Sequence, residues 1–287
     1  MVWAWARRPV GALGCILMLQ QLAAQAAPLS CRGPLHVPIA ALGQSVTVQN
    51  GKVGGIYPDL LKYLGEGCVE YTVVPRARLQ QLFDVGKADL LVPATRTLAR
   101  DEIGVFVPMT LSRPVLISLA TQDRAPVRNQ AELLERREMR VAVVRGFDFG
   151  PEYRQLVEAL ASQGRLVHAS DVASVARMLD EGIAEATLMV GVTVLGTFQN
   201  DAKLRGLIPR LRSEPLPELP WVESGIYVSR HSGLSDKQLL AVVDQLEALS
   251  RSGRVWAAFL KRFPPAVLAD STRPRFPVRE ETGDAQR

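Results

Sequence analysis

The stretch of residues 71–114 constrains the fold more than any other, because two β-rich runs flank one short amphipathic helix. Pro75 ends the first run, residues 71–74, and apolar residues then recur at helical spacing as far as Gly86. Residues 88–94 form a second, almost continuously apolar run, which predicts a buried parallel strand. The stretch therefore predicts a βαβ unit of an open α/β sheet.

The loop after the second run carries polar side chains at the edge where open α/β sheets bind ligands. Its sequence is TRTLAR, from Thr95 to Arg100. A guanidinium such as that of Arg100 can hold a carboxylate with two parallel charge-assisted hydrogen bonds. The alternative is that Arg100 pairs with Asp101 or Glu102 on a solvated helix turn.

This order of motifs resembles the first lobe of the bacterial family 3 periplasmic solute-binding proteins, the polar amino-acid-binding type. The matching features are GKADL at 86–90, the strand, Thr-x-Thr-x-x-Arg, and Phe-x-Pro at 106–108. The resemblance implies that Arg100 holds a ligand carboxylate and that Thr95 adds a hydrogen bond, with Ala94 beside them. It also implies an α/β, two-lobed periplasmic-binding-protein-like fold of type II, with the ligand cleft between the lobes and a two-segment hinge.

The N-terminus has the pattern of a cleavable export signal. Arg7 and Arg8 precede the apolar run of residues 10–24, and the small residues around position 26 predict cleavage before Ala27. No second apolar stretch of membrane-spanning length follows. Together with the resemblance, the signal predicts a periplasmic protein.

Two cysteines remain after removal of the signal, and each stands just before a predicted strand. Cys31 precedes the run 35–42, and Cys68 precedes the run 69–74. If these strands are parallel neighbours, both thiols lie at one sheet end, and a disulfide there contributes about 3–4 kcal/mol. Two unpaired buried thiols are the alternative; no His or third Cys has the spacing of a metal site.

The segment between the cysteines predicts a hairpin and then a short helix. Asn50 and Gly51 lie between β-rich residues, which is a strong hairpin signal. In the resembling family, an aromatic residue near the start of the next helix stacks on the ligand, and Tyr57 stands at that place. Tyr57 is therefore expected in the pocket wall, with core packing as the alternative.

The second half repeats the alternation of strands and helices, which suggests a second lobe of similar construction. In the resembling family, the turn after the strand at 140–144 offers backbone N–H groups and a hydroxyl to the ligand carboxylate. The resemblance places Gly146 and Phe147 in that turn, so that Phe147 replaces the hydroxyl residue.

One position departs from the family in a way that bears on the ligand. The family has an Asp at the end of the strand at 186–190, and this Asp binds the ligand's α-amino group. Val190 stands there in this chain and cannot compensate an ammonium. Either another acid such as Glu223 or Asp148 substitutes for the Asp, or the ligand lacks the amine, which we favour.

These observations divide the chain into five parts. The predicted parts are a signal peptide (1–26), the first part of lobe 1 (27–116), lobe 2 (117–221) ending in a Pro-rich connector (204–221), the return to lobe 1 with C-terminal helices (222–263), and a disordered tail (264–287).

Catalytic and nucleic-acid signatures are missing from the sequence. It contains no nucleophile elbow, phosphate-binding loop, dinucleotide fingerprint or zinc-protease motif, so we predict no catalytic residue, cofactor or metal. The net charge of +5 includes no basic block with interleaved aromatic residues, so no nucleic-acid partner is expected.

The resemblance implies a monomeric protein that captures a small polar solute bearing a carboxylate and delivers it to an ABC permease. Two alternative functions remain, and loss of ligand binding is a third alternative, since two of the family's ligand positions are replaced in this chain. A sensory receptor in place of the permease would read the closed form, or the chain is an enzyme on the same fold, as in the similar cyclohexadienyl dehydratases. Such an enzyme needs a carboxylic acid in the cleft, and Glu223 is the candidate.

Overall fold

The structure is a computed structural model and describes residues 33–120 and 124–277. The predicted signal peptide, Cys31 and residues 278–287 lie outside these ranges. No helix of the described ranges is both long enough and apolar enough to cross a membrane.

In chain order, the first lobe contains β1 (Leu35–Ile39), β2 (Thr47–Gln49), β3 (Lys52–Gly54), α1 (Ile56–Leu61), β4 (Val69–Val73), α2 (Arg76–Asp84), β5 (Leu90–Thr95), α3 (Leu98–Ile103) and β6 (Gly104–Ser112). The second lobe contains β7 (Val115–Leu119), α4 (Gln130–Glu135), β8 (Val141–Val144), α5 (Pro151–Ser162), β9 (Leu166–Ala169), α6 (Val172–Asp180), β10 (Ala186–Met189), α7 (Gly191–Asn200) and β11 (Leu211–Glu214). The chain returns with β12 (Val222–Ser229), α8 (Asp236–Arg251), α9 (Arg254–Leu260), α10 (Pro265–Ser271) and β13 (Thr272–Pro274). Short 3-10 helices cover Lys62–Leu64 and Arg205–Arg210.

Each lobe is built on its own sheet, mixed in the second lobe and antiparallel in the first, which confirms the predicted two-lobed α/β architecture. In the second lobe the strand order is β11-β7-β10-β8-β9, and in the first it is β13-β6-β12-β5. The parallel pair β1 and β4 lies beside β5 in the first lobe. The chain passes from the first sheet to the second after β6 and returns before β12, which gives the two crossings expected of a hinge.

Local sequence signals account for several of these elements. Pro75 is the N-cap of α2, which buries Leu79 and Phe83 on one face. Asn50 and Gly51 both have positive φ between the antiparallel strands β2 and β3, which matches the predicted hairpin. Ser235 forms the capping box that opens α8, the longest helix of the described residues.

The strands that follow the two cysteines are neighbours, as predicted. β1 and β4 pair in parallel with Leu35 opposite Val69, and the Leu35 N–H donates to the Cys68 carbonyl at 2.8 Å. Cys68 itself is buried. Because Cys31 lies outside the described residues, the Cys31–Cys68 disulfide stays a prediction.

The prediction that the buried run 88–94 pairs as a parallel strand needs correction. All six residues of β5 are buried, as expected, but the strand forms an antiparallel ladder with β12. Toward β1 it makes a backbone bond from the Asp89 N–H to the His36 carbonyl at 2.9 Å. The reason is the hinge: β12 re-enters from the second lobe in the opposite direction and takes the place beside β5.

The Pro-rich connector predicted at 204–221 contains regular structure. A 3-10 helix is followed by β11, which pairs antiparallel with β7 at the edge of the second sheet. Glu214 at the end of β11 is buried, and its carboxylate bonds to Arg124 and to the backbone N–H of Val127. These bonds hold the strand in place although prolines follow it.

The prediction of a disordered tail from residue 264 is wrong for residues 264–277. This segment forms α10 and β13, and Leu268 of α10 is 1% exposed. β13 pairs with β6, with Thr272 opposite Ser112, and Ser271 Oγ accepts a bond from the Gly191 N–H at 3.0 Å. Although the segment contains many prolines and charged residues, burial of its apolar side chains such as Leu268 stabilises the ordered structure.

Candidate functional site

A cavity of about 60 Å³ lies between the lobes at the carboxyl end of β5. The six residues predicted to contact the ligand all line it: Tyr57, Ala94, Thr95, Arg100, Gly146 and Phe147. The lining also includes residues to which the sequence analysis gave no ligand role, among them Arg76, Thr110, Ser112, Phe149, Thr193, Ser224 and Thr272. The structure thus brings together both lobes and the C-terminal segment around one cavity.

The loop after β5 is held rigidly by hydrogen bonds. Thr97 caps α3, with its Oγ1 accepting from the Arg100 N–H at 3.4 Å. The Thr97 N–H donates to the buried Tyr227 hydroxyl at 3.1 Å, and that hydroxyl donates to Asp101 at 2.9 Å. Arg96 forms an ion pair with Asp101 at 3.0 Å. These bonds fix the first turn of α3 and with it the position of Arg100.

Arg100 lacks a carboxylate partner within the described residues. Its Nε donates to Gln80 Oε1 and its Nη1 to the Thr95 carbonyl, both at 2.7 Å. The expected alternative, a pair with Asp101, does not form because Arg96 occupies that carboxylate. Burial lowers the pKa of Arg100, but an arginine remains protonated at neutral pH. Arg100 is therefore a positioned cation that forms no ion pair among the described residues, although Asp148 and Asp84 lie close enough to act on its pKa.

Arg76, the first residue of α2, is a second guanidinium in the wall. Its Nη2 donates to the Pro93 carbonyl at 3.3 Å, and its guanidinium carbon lies 4.9 Å from the centre of the Phe147 ring. Its Nη1 is buried without a hydrogen-bond partner among the described residues. Burial, followed by the charge of Arg100, lowers the pKa of Arg76 to about 10. In the sequence this residue marked only a helix start.

Tyr57 belongs both to the cavity wall and to the core. Its ring meets Phe259 edge-on with centroids 6.4 Å apart, and its hydroxyl bonds to the side chains of Ser224 and Thr110. Burial raises the pKa of Tyr57 to about 12, so the phenol stays neutral. The two interpretations left open by the sequence therefore both apply.

The second lobe contributes an apolar wall. Phe147 and Phe149 pack edge-on with centroids 5.8 Å apart, and Gly146 turns the chain with φ +86°. Val190 precedes α7 and is buried against the cavity. The second lobe therefore presents apolar side chains to the cavity at Phe147, Phe149 and Val190.

The two acids considered as substitutes are already paired. Asp148 lines the cavity, but its carboxylate accepts from Arg154 at 2.7 Å and from the Gly150 N–H at 2.9 Å. Glu223 is outside the cavity lining, between Arg96 at 3.1 Å and Arg275 at 2.7 Å. Both carboxylates therefore already form ion pairs within the protein.

Thr272 places an unsatisfied hydroxyl at the cavity. The side chain is 2% exposed, and its Oγ1 has no hydrogen-bond partner among the described residues. It belongs to β13, in the segment that sequence composition assigned to a tail. Across residues 33–120 and 124–277, no group of three His, Cys, Asp or Glu residues has the arrangement of a metal site.

The fold is that of the periplasmic binding proteins, as comparison with solved structures shows. An ancestral arginine-binding protein bound to arginine superposes with a TM-score of 0.63 at 17% identity, covering 81% of this chain and 99% of that one. An amino acid ABC transporter substrate-binding protein from Streptococcus pneumoniae, bound to L-arginine, gives 0.62 at 17% identity, covering 80% and 93%. At these identities the likeness establishes the fold alone.

A third solved structure with the same fold is a histidine kinase sensor domain described as similar to periplasmic binding proteins. Its TM-score is 0.62 at 17% identity, covering 80% of this chain and 96% of that one. No protein-family model matches the sequence, and no curated protein matches it.

The lobes touch at a point beside the cavity. Asn200 at the end of α7 donates to the Gly43 carbonyl at 3.1 Å and accepts from the Gln44 side chain at 2.6 Å. Gly196 packs directly on this loop: a Cβ there would lie 2.5 Å from the Gln44 backbone nitrogen. Close approach of the lobes therefore depends on a glycine at 196.

We expect Gly196→Ala to hold the lobes apart. The added methyl overlaps the backbone of the other lobe, and overpacking of this kind costs about 1–3 kcal/mol. Small-angle X-ray scattering should show a larger radius of gyration than in the unmodified chain. Gly206→Ala is the matched control, because a Cβ at 206 meets no atom within 4 Å. Identical scattering from the two variants would contradict the prediction.

Proposed function

We propose that this chain is a solute-binding protein that captures a small solute bearing a carboxylate in the cleft between its lobes. The observation that carries the proposal is Arg100, a cation fixed by two 2.7 Å hydrogen bonds and lacking an acidic partner among the described residues. A buried guanidinium of this kind is a site for an anion, since a carboxylate can take charge-assisted bonds from it. Thr95, Tyr57 and Phe147 complete the walls around it.

The export signal and the fold support a periplasmic location and delivery of the solute to an ABC permease in the inner membrane. The proposal of a permease partner is supported by the solved structures of similar fold, which include an amino acid ABC transporter substrate-binding protein. Closure of the lobes over the solute is the conformational change that a permease would recognise. We propose a monomer, because the cleft is assembled from one chain.

Sensing is the second candidate, and one observation favours it. The fold also occurs in a histidine kinase sensor domain, so a closed form can be read by a receptor. The enzyme alternative lacks a similar observation, because Glu223 is held by two arginines instead of facing the cleft. Catalysis by a carboxylic acid would require that group within reach of the substrate.

Thermal unfolding of the purified chain in the presence of candidate solutes tests the proposal. We expect at least one amino acid or amine-free carboxylate to raise the unfolding temperature, because a ligand at 100 times its Kd adds about 2.7 kcal/mol. A neutral sugar and inorganic chloride serve as controls. Absence of a shift with every carboxylate at millimolar concentration would contradict the proposed function.

A further inference from the structure

We propose that the solute is a small dicarboxylate without an ammonium group, with one carboxylate held by Arg100 and the second by Arg76. This inference rests on the proposed function and adds the chemical class of the solute. Its basis is that two guanidiniums line one small cavity while its acid is neutralised elsewhere.

The unsatisfied atom of Arg76 is the first step. Its Nη1 is shielded from solvent and has no acceptor among the described residues, although a buried donor is normally paired. Leaving a charged donor in this state is costly, so a bound anion that supplies the acceptor would gain this free energy. Arg76 is within the cavity wall, so a bound oxygen there would remove the cost.

The second step is the balance of charge around the cavity. Its described lining contains Arg76, Arg100 and one acid, Asp148. The Asp148 carboxylate is 2.7 Å from Arg154, so it is balanced by a cation outside the lining. Neither Arg76 nor Arg100 forms an ion pair among the described residues, and the two guanidiniums lie close enough that Arg100 lowers the pKa of Arg76. A solute with two negative charges neutralises both, whereas a monocarboxylate leaves one unpaired.

The absence of a site for an ammonium is the third step. Val190 stands at the start of α7, where the partial positive charge of a helix N-terminus disfavours a second cation. Both oxygens of Glu223 are taken by Arg96 and Arg275. An amino group on the solute would thus meet apolar or positive surroundings, and its desolvation would be uncompensated.

Thr272 supplies a further polar group, and it belongs to the C-terminal strand β13. Its buried Oγ1 lacks a partner within the described residues, and the hydroxyl can donate to a carboxylate oxygen. The rings of Tyr57, Phe147 and Phe149 also line the cavity. The methylene groups of a short aliphatic dicarboxylate would therefore meet apolar surface.

Isothermal titration calorimetry with matched solutes tests the inference. Succinate, butyrate and L-aspartate share a four-carbon chain and differ in the second carboxylate and the amine; malonate, glutarate and the monocarboxylates of equal length extend the set. We expect the best dicarboxylate to bind about 30-fold or more tightly than the monocarboxylate of equal length. This difference corresponds to the free energy of the charge-assisted hydrogen bonds that the second carboxylate forms. L-Aspartate and L-arginine are expected to bind more weakly than the best dicarboxylate.

Variants of Arg76 separate this inference from the proposed function. Arg76→Gln should remove the preference for the dicarboxylate while monocarboxylate binding through Arg100 persists, and Arg76→Lys should keep part of the preference. Arg78→Gln is the matched control, because Arg78 lies on the same helix but is exposed. If Arg76→Gln fails to fold, the comparison rests on Arg76→Lys and on the solute series with the unmodified chain.

Three outcomes overturn the inference. Equal affinity for dicarboxylates and monocarboxylates, tighter binding of an amino acid, or an unchanged preference in both Arg76 variants each contradicts it. In those cases binding that depends on Arg100 would leave the proposed function standing. If no carboxylate of the set binds the unmodified chain, the proposed function fails as well.

Discussion

A chain that ends at Phe263 is expected to lose at least about 3 kcal/mol of unfolding free energy, because the missing segment contains a core residue and a sheet strand. Leu268 is 1% exposed and packs into the main hydrophobic core. Truncation of a buried leucine alone costs about 2–5 kcal/mol. The lost pairing of β13 with β6 leaves further backbone groups of β6 without partners.

Urea unfolding followed by circular dichroism measures this effect. A chain that ends at Pro277 is the matched control, since it removes only residues outside the described structure. Its midpoint should equal that of the full chain, whereas the midpoint of the shorter chain should fall. Leu268→Ala should reproduce most of the loss without a change in length. Equal midpoints for all four chains would show that the segment contributes little to stability.

The elements predicted most accurately are those whose determinants are local. The capping box at Ser235 and the Asn50-Gly51 turn depend on residues within a few positions of each other. The same holds for α2, where Pro75 and the spacing of Leu79 and Phe83 define the start and the buried face. Such signals need no knowledge of the second lobe.

Elements that depend on tertiary packing were missed or misassigned. α7 is buried along most of its length, so its apolar residues do not alternate with polar ones and the helical period is hidden. The segment 264–277 has a polar, Pro-rich composition, yet Leu268 packs into the main hydrophobic core and the buried Ser271 bonds to Gly191 of the second lobe. The antiparallel ladder of β5 follows from the return of the chain, which no local pattern encodes.

In the candidate site, too, residues with a local sequence signal were predicted, and residues placed by tertiary packing were missed. Arg100 and Thr95 follow a strand in a motif, and the structure places both at the cavity. Arg76 also follows a strand, at the carboxyl end of β4, and this position is the signal that could have identified it. Thr272 had no comparable signal, because its place depends on β13 pairing with β6.

The C-terminal segment adds a third connection between the lobes. The Gly191 N–H at the start of α7 donates to Ser271 Oγ, while Arg275 pairs with Glu223 of β12. The guanidinium carbon of Arg273 lies 4.0 Å from the ring centre of Trp221, at the second crossing. Opening of the cleft must therefore move or bend this segment as well as the two crossing strands. Thr272, which lines the cavity, belongs to this segment.

Arg100→Ala is expected to weaken binding of the best carboxylate by about 100-fold or more. A hydrogen bond to a charged group contributes roughly 1.5–3 kcal/mol, and a guanidinium can form two such bonds with one carboxylate. The neighbouring acceptors, Gln80 Oε1 and the Thr95 carbonyl, would then be left without their donor. Their partial negative charge would repel a carboxylate, which increases the loss. Calorimetry of the variant and the unmodified chain with the same solute measures the change.

Arg100→Lys and Arg78→Ala complete the experiment. The lysine keeps the charge but cannot donate in a fork, so its affinity should lie between those of the alanine variant and the unmodified chain. Arg78→Ala removes an exposed arginine of α2 and should bind the solute with unchanged affinity. Because Arg100 has no acidic partner in the described structure, its removal leaves no carboxylate unpaired, and the unfolding midpoint without solute should not fall by more than about 1 kcal/mol. Unaltered affinity in the alanine variant would contradict the role assigned to Arg100.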